Sequence, residues 1–283
     1  MRSRSTIPMI GSLAKHALLT GAIAAALFSL GANCWAENCL TVQGFPSGTA
    51  LTLDSGPVLS FIGAQPGTVN GFTFTRYSLF MQDSAANGSG ALVLFGTVPS
   101  GSTYVPTVGD SLNAAGTYSP FHQIPEIGTL TSLTLNSSGN PVPAPSVFGI
   151  TDLNQATLPT SIAGHVIQLN NVTISDVSGG NGLFGNGKTG SSANLSYSVT
   201  DGVGNSMVLY YWPTSYSPDA AMYGQAIPTG AVNIIGFDSV FTSGATSTAE
   251  FTPLQIVAVP EPSSIALAGL GLLSLLGARR RRE

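Results

Sequence analysis

The sequence predicts an all-β protein, and three observations carry that expectation. No window of the central region shows the sustained 3.6-residue apolar period of an amphipathic helix; short apolar–polar alternation recurs instead. Turn-forming residues punctuate these runs, with 34 glycines and 18 prolines among 283 residues keeping each apolar stretch short. Only 8% of residues are charged, so the solvent face must be built from Ser, Thr and Asn.

Taken in order, Phe72-Thr73-Phe74-Thr75 alternates and runs on into Tyr77-Ser78-Leu79-Phe80-Met81. Gln82 to Gly90 is a turn with an Asn-Gly pair as its strongest cue, and Ala91-Leu92-Val93-Leu94-Phe95 returns as a strand apolar on both faces. About 120 residues later, Leu195–Thr200 alternates, Asp201-Gly202-Val203-Gly204-Asn205 turns, and Met207–Tyr211 returns. The sequels also match. Each carries a Pro-Thr pair, a glycine, a strand and a second glycine (Gly116, Gly236) before a closing Pro segment. The chain thus reads as two similar β modules. Ala163–Leu169, leading into Asn170–Ile174, supplies a first strand for the second copy.

Strand, Asp turn, strand, "VGD", strand and glycine resembles the extracellular OB-fold modules that accompany bacterial secreted nucleases and phosphatases. That resemblance spans Asp54–Leu135 and Ile162–Ile256 and implies two OB-like barrels in tandem, with β-sandwich modules as the alternative. The module boundary falls near Asn136–Pro145, where "NSSGNPVPAP" makes an extended spacer. The organisation expected is module 1 over 37–140, a Pro-rich linker over 141–150 and module 2 over 151–258.

Both ends are of another kind. Arg2, Arg4 and Lys15 precede the apolar run Ala17–Leu30, and small residues follow up to Ala36, which is the layout of a secretory signal peptide over 1–36. At the other end, Pro260-Glu261-Pro262 precedes an uncharged run, Ile265–Ala278, and the stop Arg279-Arg280-Arg281-Arg282. This run predicts a short apolar helix, below the ~20 residues that cross a bilayer comfortably, with the arginines holding its end on the cytoplasmic side. The tripartite tail over 259–283 resembles the PEP-CTERM sorting signal of Gram-negative bacteria. That resemblance implies export, a transient inner-membrane anchor, cutting by an exosortase, and a cell-surface or extracellular destination associated with biofilm exopolysaccharide.

Removing both ends changes the charge balance. Between Glu37 and Ala258 the only basic residues are Arg76 and Lys188, against eleven Asp and Glu, so the net −4 of the whole chain becomes −9. So few cations give phosphate backbones no electrostatic driver, which disfavours nucleic acid as a partner. Cleavage after Ala36 removes Cys34 and leaves Cys39 without an intramolecular partner, as a buried thiol, whereas an earlier cut would let the two pair across a short loop.

A hydrolase needs a poised base with a nucleophile or a metal. His122, four residues before Glu126 in "SPFHQIPEI", and His165 in an apolar setting form no such constellation, and no metal site is expected. Asp83 and Asp201 read as turn residues that bond their own backbone, and glycine-rich Asp176–Gly190 reads as an inter-strand loop. The candidate ligand-stacking residues are Tyr210, Tyr211 and Trp212, whose rings on an OB sheet would stack on sugars rather than bases because no cation adjoins them. The reading is a non-enzymatic, exported structural or glycan-contacting protein without cofactor. Its partners are the secretion machinery, an exosortase and extracellular polysaccharide. A secreted nucleic-acid-binding OB module and an unrecognised hydrolase stand as the competing readings.

Overall fold

The computed structural model describes residues 37–63, 67–69, 72–74, 77–83, 90–97, 104–177, 181–187, 195–211 and 222–259. The signal stretch 1–36, the sorting motif Pro260–Pro262, the apolar run and the arginine stop lie outside the described residues.

Module 1 begins with a four-residue helix, α1 (Cys39–Val42), followed by β1 (Ala50–Leu53) and β2 (Val58–Ile62). A small separate pair, β3 (Gly67–Val69) and β4 (Phe72–Phe74), precedes the hairpin of β5 (Tyr77–Gln82) and β6 (Ala91–Gly96). The alternating run read as continuous from Phe72 to Met81 is therefore two strands in two sheets. A second hairpin, β7 (Ser111–Tyr118) and β8 (Glu126–Ser137), completes the module. The pairings β2–β5 and β5–β6 are antiparallel, β6–β8 is parallel, and β8–β7 and β7–β2 are antiparallel, which closes a five-stranded ring.

Module 2 repeats this. Its elements are β9 (Ser146–Phe148), α2 (Ile150–Leu153), β10 (Ile167–Ser175), a 3-10 turn (Phe184–Gly187), β11 (Leu195–Thr200), β12 (Ser206–Tyr211), β13 (Val232–Ser243) and β14 (Thr246–Ala258). The ring β10–β11–β12–β14–β13–β10 closes with the same directions, including the parallel pair β12–β14. Both rings are OB-fold barrels rather than open sandwiches.

The copies correspond beyond the hairpins legible in sequence. Glu37 bridges Leu53 in parallel just before α1, as β9 pairs in parallel with β10 just before α2. Cys39 and Val42 bury themselves as Ile150 and Leu153 do. The repeat therefore starts at Glu37 and again at Ser146, and β9 with the first residue of α2 occupies the stretch read as linker. β1 and β2 divide between them, around Asp54–Pro57, the work that β10 does as one bent strand. Gly116 and Gly236 sit at matching bulges. A Cβ there would come within 2.2 Å of Thr129 O and 2.3 Å of Thr252 O, so only glycine lets the strands approach.

Each barrel has its own core. Leu53, Leu59, Leu79, Met81, Leu92 and Leu94 fill the first, and Ile167, Leu169, Val199, Leu209 and Phe251 help fill the second. In the second barrel the 3-10 turn also inserts Phe184, whose ring meets Tyr197 edge-on at 5.3 Å. A third core lies where the barrels meet. The outward residues Phe80, Val93 and Phe95 of β5 and β6 pack with Val166, Phe237 and Leu254 of the second module. The Phe80 and Phe237 rings lie 5.1 Å apart, within the favourable range for aromatic pairs. This explains why β5 and β6 are buried along their whole length: Tyr77, Leu79 and Met81 of β5 and Leu92 and Leu94 of β6 fill the barrel, while Phe80, Val93 and Phe95 fill the joint.

Polar contacts reinforce the joint. Phe121–Ile124 forms a tight turn with positive φ at His122 (51°) and Gln123 (63°), the geometry of a type I′ turn built without glycine or asparagine. Such a conformation costs ~1–2 kcal/mol per non-glycine residue, and contacts across the joint offset it. His122 O accepts from Val240 N at 2.9 Å, and the Gln123 amide donates to Ala156 O at 3.0 Å while accepting from Leu158 N at 2.9 Å. Gln43 Nε2 bridges Ala91 O (2.7 Å) and Ala163 O (3.2 Å).

Phe237 is fully buried at the centre of the joint. Phe237→Ala is expected to lower unfolding free energy by ~3–5 kcal/mol in chemical denaturation of the full chain. A loss below ~1 kcal/mol would contradict close packing between the barrels.

Candidate functional site

In OB folds the outer face of the second and third barrel strands is the usual ligand platform. In module 1 those strands are β5 and β6, and the joint has closed their outer face. In module 2 the equivalents are β11 and β12, and their outer face is half-exposed along its length. Alternation decides which residues it carries. Tyr197, Val199, Met207, Leu209 and Tyr211 turn inward and are buried, so Ser196, Ser198, Thr200, Ser206, Val208 and Tyr210 turn outward. The antiparallel register pairs Ser196 with Tyr210, Ser198 with Val208 and Thr200 with Ser206. The result is one aromatic ring in a field of hydroxyls.

The three residues predicted to stack therefore separate. Tyr210 lies on the open face. Tyr211 is fully buried with its ring 5.7 Å from Phe184, so it supports the barrel from inside and offers no face to a ligand. Trp212 lies outside the described residues. The separation follows from the two-residue period of a strand, which sends neighbours 210 and 211 to opposite sides. The hydroxyls of β11 drew no attention in sequence, although the alternation in "LSYSVT" already places Ser196, Ser198 and Thr200 on one face.

At the open end of the hairpin, Asp201 shapes the turn. Its Oδ1 accepts from Val203 N (3.0 Å) and Asn205 N (2.9 Å), as expected of a turn residue bonding its own backbone. Asp83 does something else. Its carboxylate accepts from Cys39 N (2.9 Å) and Leu40 N (3.0 Å), so it caps α1 across the fold. Cys39 is buried and free, and burial followed by the Asp83 charge pushes its thiol well above the usual range, which makes it inert. Within the glycine-rich stretch read as a loop, the turn Phe184–Gly187 brings Phe184 into the barrel core, and Tyr197 Oη accepts from Gly185 N at 3.1 Å and holds that turn inside.

The two histidines among the described residues are engaged structurally. The His122 ring stacks on Phe121 at 3.9 Å and meets Phe241 at 5.1 Å, and burial lowers its basicity. His165 is buried with Nδ1 3.3 Å from Ala163 O. Among the described residues no group of three metal-ligating side chains comes together.

One buried carboxylate stands out. Asp238 on β13 is fully buried opposite Phe251, and neither oxygen meets a hydrogen-bond partner of good geometry among the described residues. The matching position in module 1, two residues after the bulge glycine, holds Tyr118. Burial pushes the Asp238 carboxyl up to about 8, opposed weakly by the nearby Ser239 N–H, and burial pushes Glu250 on β14 up to about 7.

The comparisons with known proteins bear on the tail and the fold. Residues 258–282 match the PEP-CTERM protein-sorting motif. No curated protein matches the chain. Among solved structures, the chain is similar to one from "Structure and Conformational Change of a Replication Protein A Heterotrimer Bound to ssDNA", at 12% identity over 85% of this chain and 72% of that chain, with a TM-score of 0.25. At that score the similarity assigns no ligand.

The raised carboxyls fix the sign of a pH effect. Unfolded, these groups ionise near ~4, so between about pH 4 and pH 8 the native state holds protons that the unfolded chain has released, and stability falls as pH rises. The thermal midpoint of the full chain should therefore be lower at about pH 8 than at about pH 5, and Asp238→Asn should remove most of that fall. An unchanged pH slope in the variant would show that Asp238 ionises normally. The chain thus carries a PEP-CTERM protein-sorting motif behind two OB-fold barrels, and the motif supports an exported protein that an exosortase processes.

Proposed function

We propose that the exported part is a non-enzymatic surface or matrix protein that contacts neutral polysaccharide through the open β11–β12 face of the second barrel. The supporting observation is the composition of that face, where Tyr210 stands among the hydroxyls of Ser196, Ser198, Thr200 and Ser206. None of the outward residues of the two strands is charged, and the bordering carboxylate is Glu250 of β14, beside Val208 and largely buried. A sugar ring presents an apolar C–H face and a rim of hydroxyls. Such a ligand packs its face on a phenol ring and exchanges hydrogen bonds with serine and threonine, and a site for it needs no charge. Arg76 and Lys188, the only cations between the two terminal segments, lie outside the described residues, so no lysine or arginine borders this face among those described.

The tail supplies the address in this reading. The apolar run and arginine stop hold the chain transiently in the inner membrane, and an exosortase cuts near Pro260-Glu261-Pro262 and delivers the barrels to the cell surface or the surrounding matrix. The two barrels then act as a rigid spacer that presents one open platform.

Affinity electrophoresis of the full chain through gels containing neutral polysaccharide from the host matrix tests the reading. Retardation is expected, insensitive to salt, and weakened about tenfold in Tyr210→Ala, equivalent to ~1.4 kcal/mol. Retardation by single-stranded DNA that collapses with added salt would instead establish a nucleic-acid module.

A further inference from the structure

We propose that the cleft between the two barrels, beneath the Pro-rich stretch, is a second and separate binding site, one that takes a small neutral hydroxylated ring of one or two sugar units. The cleft encloses about 680 Å³, within the range of ~300–1,000 Å³ typical of small-molecule sites. Part of the lining is apolar: Val58 from β2, Pro141 and Pro143 from the segment joining the modules, and Phe148 from β9. The lining also carries polar groups, with Gln82 at the end of β5 beside its cross-strand neighbour Val58, and Ser161 and His165 from the turns before β10.

The chemistry of these groups selects the ligand. Among the described residues Asp83 is the only carboxylate lining the cleft, and it is already spent on the α1 backbone. Asn140 is likewise committed, donating to Gly109 O (3.0 Å) and Ser137 O (3.2 Å). Gln82 differs. The residue is only 8% exposed, and its amide oxygen is shut off from solvent with no hydrogen-bond partner among the described residues. A buried amide oxygen left unpaired costs ~1–3 kcal/mol. The terminal amide torsion is soft, so turning the amide toward the cleft lets an occupant's hydroxyl recover that cost. Among the described residues no lysine or arginine lines the cleft to hold an anion, and no uncommitted carboxylate lines it to hold a cation. The apolar part of the lining, Val58 with Pro141, Pro143 and Phe148, suits the apolar face of a pyranose ring.

This site is independent of the β11–β12 face. It lies against β2, β5 and β9, and its walls come from both modules, so it exists only while the barrels are joined. The prolines stiffen the wall that covers it, because their fixed φ leaves that segment few alternatives. An occupant would contact both modules at once.

Two substitutions separate binding from structure. Gln82→Met keeps side-chain volume and removes the unpaired amide, so stability should hold or rise. Ser161 is solvent-exposed, so Ser161→Trp should fold while filling the mouth of the cleft. Saturation-transfer NMR on the full chain, with glucose, galactose and N-acetylglucosamine as probes, should show saturable binding of at least one of them. That binding should weaken at least about tenfold in both variants and stay unchanged in Tyr210→Ala. Absence of saturable binding by all three probes at tens of millimolar would overturn the proposal. So would binding that survives Ser161→Trp, or binding lost in Tyr210→Ala but not in Gln82→Met, which would return the ligand to the open face.

Discussion

The packing of Phe80 against Phe237 is the constraint on which the rest of the architecture depends. It joins the outer face of β5 and β6 to β13 and makes one structural unit from two barrels. Burying a side chain of this size stabilises by ~1.5–3 kcal/mol, and the joint buries Phe80, Phe95 and Phe237 together with Val93, Val166 and Leu254. The apolar contact also sustains what would otherwise be costly nearby. The left-handed backbone at His122 and Gln123 persists because their partners, Val240, Ala156 and Leu158, are held in place by the second barrel.

The same joint divides labour between two barrels of one design. It consumes the customary ligand platform of the first and leaves that of the second open. It also creates the interbarrel cleft, whose walls neither module could supply alone. Matching positions have then diverged with their surroundings. Where module 1 places Tyr118, which turns its hydroxyl toward Gln43 O, module 2 buries Asp238 opposite Phe251. Where Asp201 closes its own turn, Asp83 caps a helix 44 residues away.

Much of the fold was legible because the hairpins announce themselves. Gly204, at positive φ in the Asp201 turn, and the matched glycines at 116 and 236 are features that backbone geometry forces into the sequence. The rest was hidden for physical reasons. Four-residue helices such as Cys39–Val42 have no period to detect, so the repeat looked shorter than it is. The His122-Gln123 turn carries neither glycine nor asparagine, and only its tertiary partners stabilise it. The all-apolar β6 announced that both its faces are covered, but a strand cannot say by what. At the candidate face, Tyr210 and Tyr211 looked equivalent as a pair of aromatics. Strand alternation separates them, and Leu209 and Tyr211 turning inward fixes the sense.

The central claim is that the two barrels form one rigid body. Backbone residual dipolar couplings measured on the full chain test it most directly. Amides of residues 50–137 and of residues 146–258 should fit a single alignment tensor within error. Two tensors differing in orientation or magnitude would mean that the barrels move independently, and the joint, the closed first platform and the interbarrel cleft would be lost together.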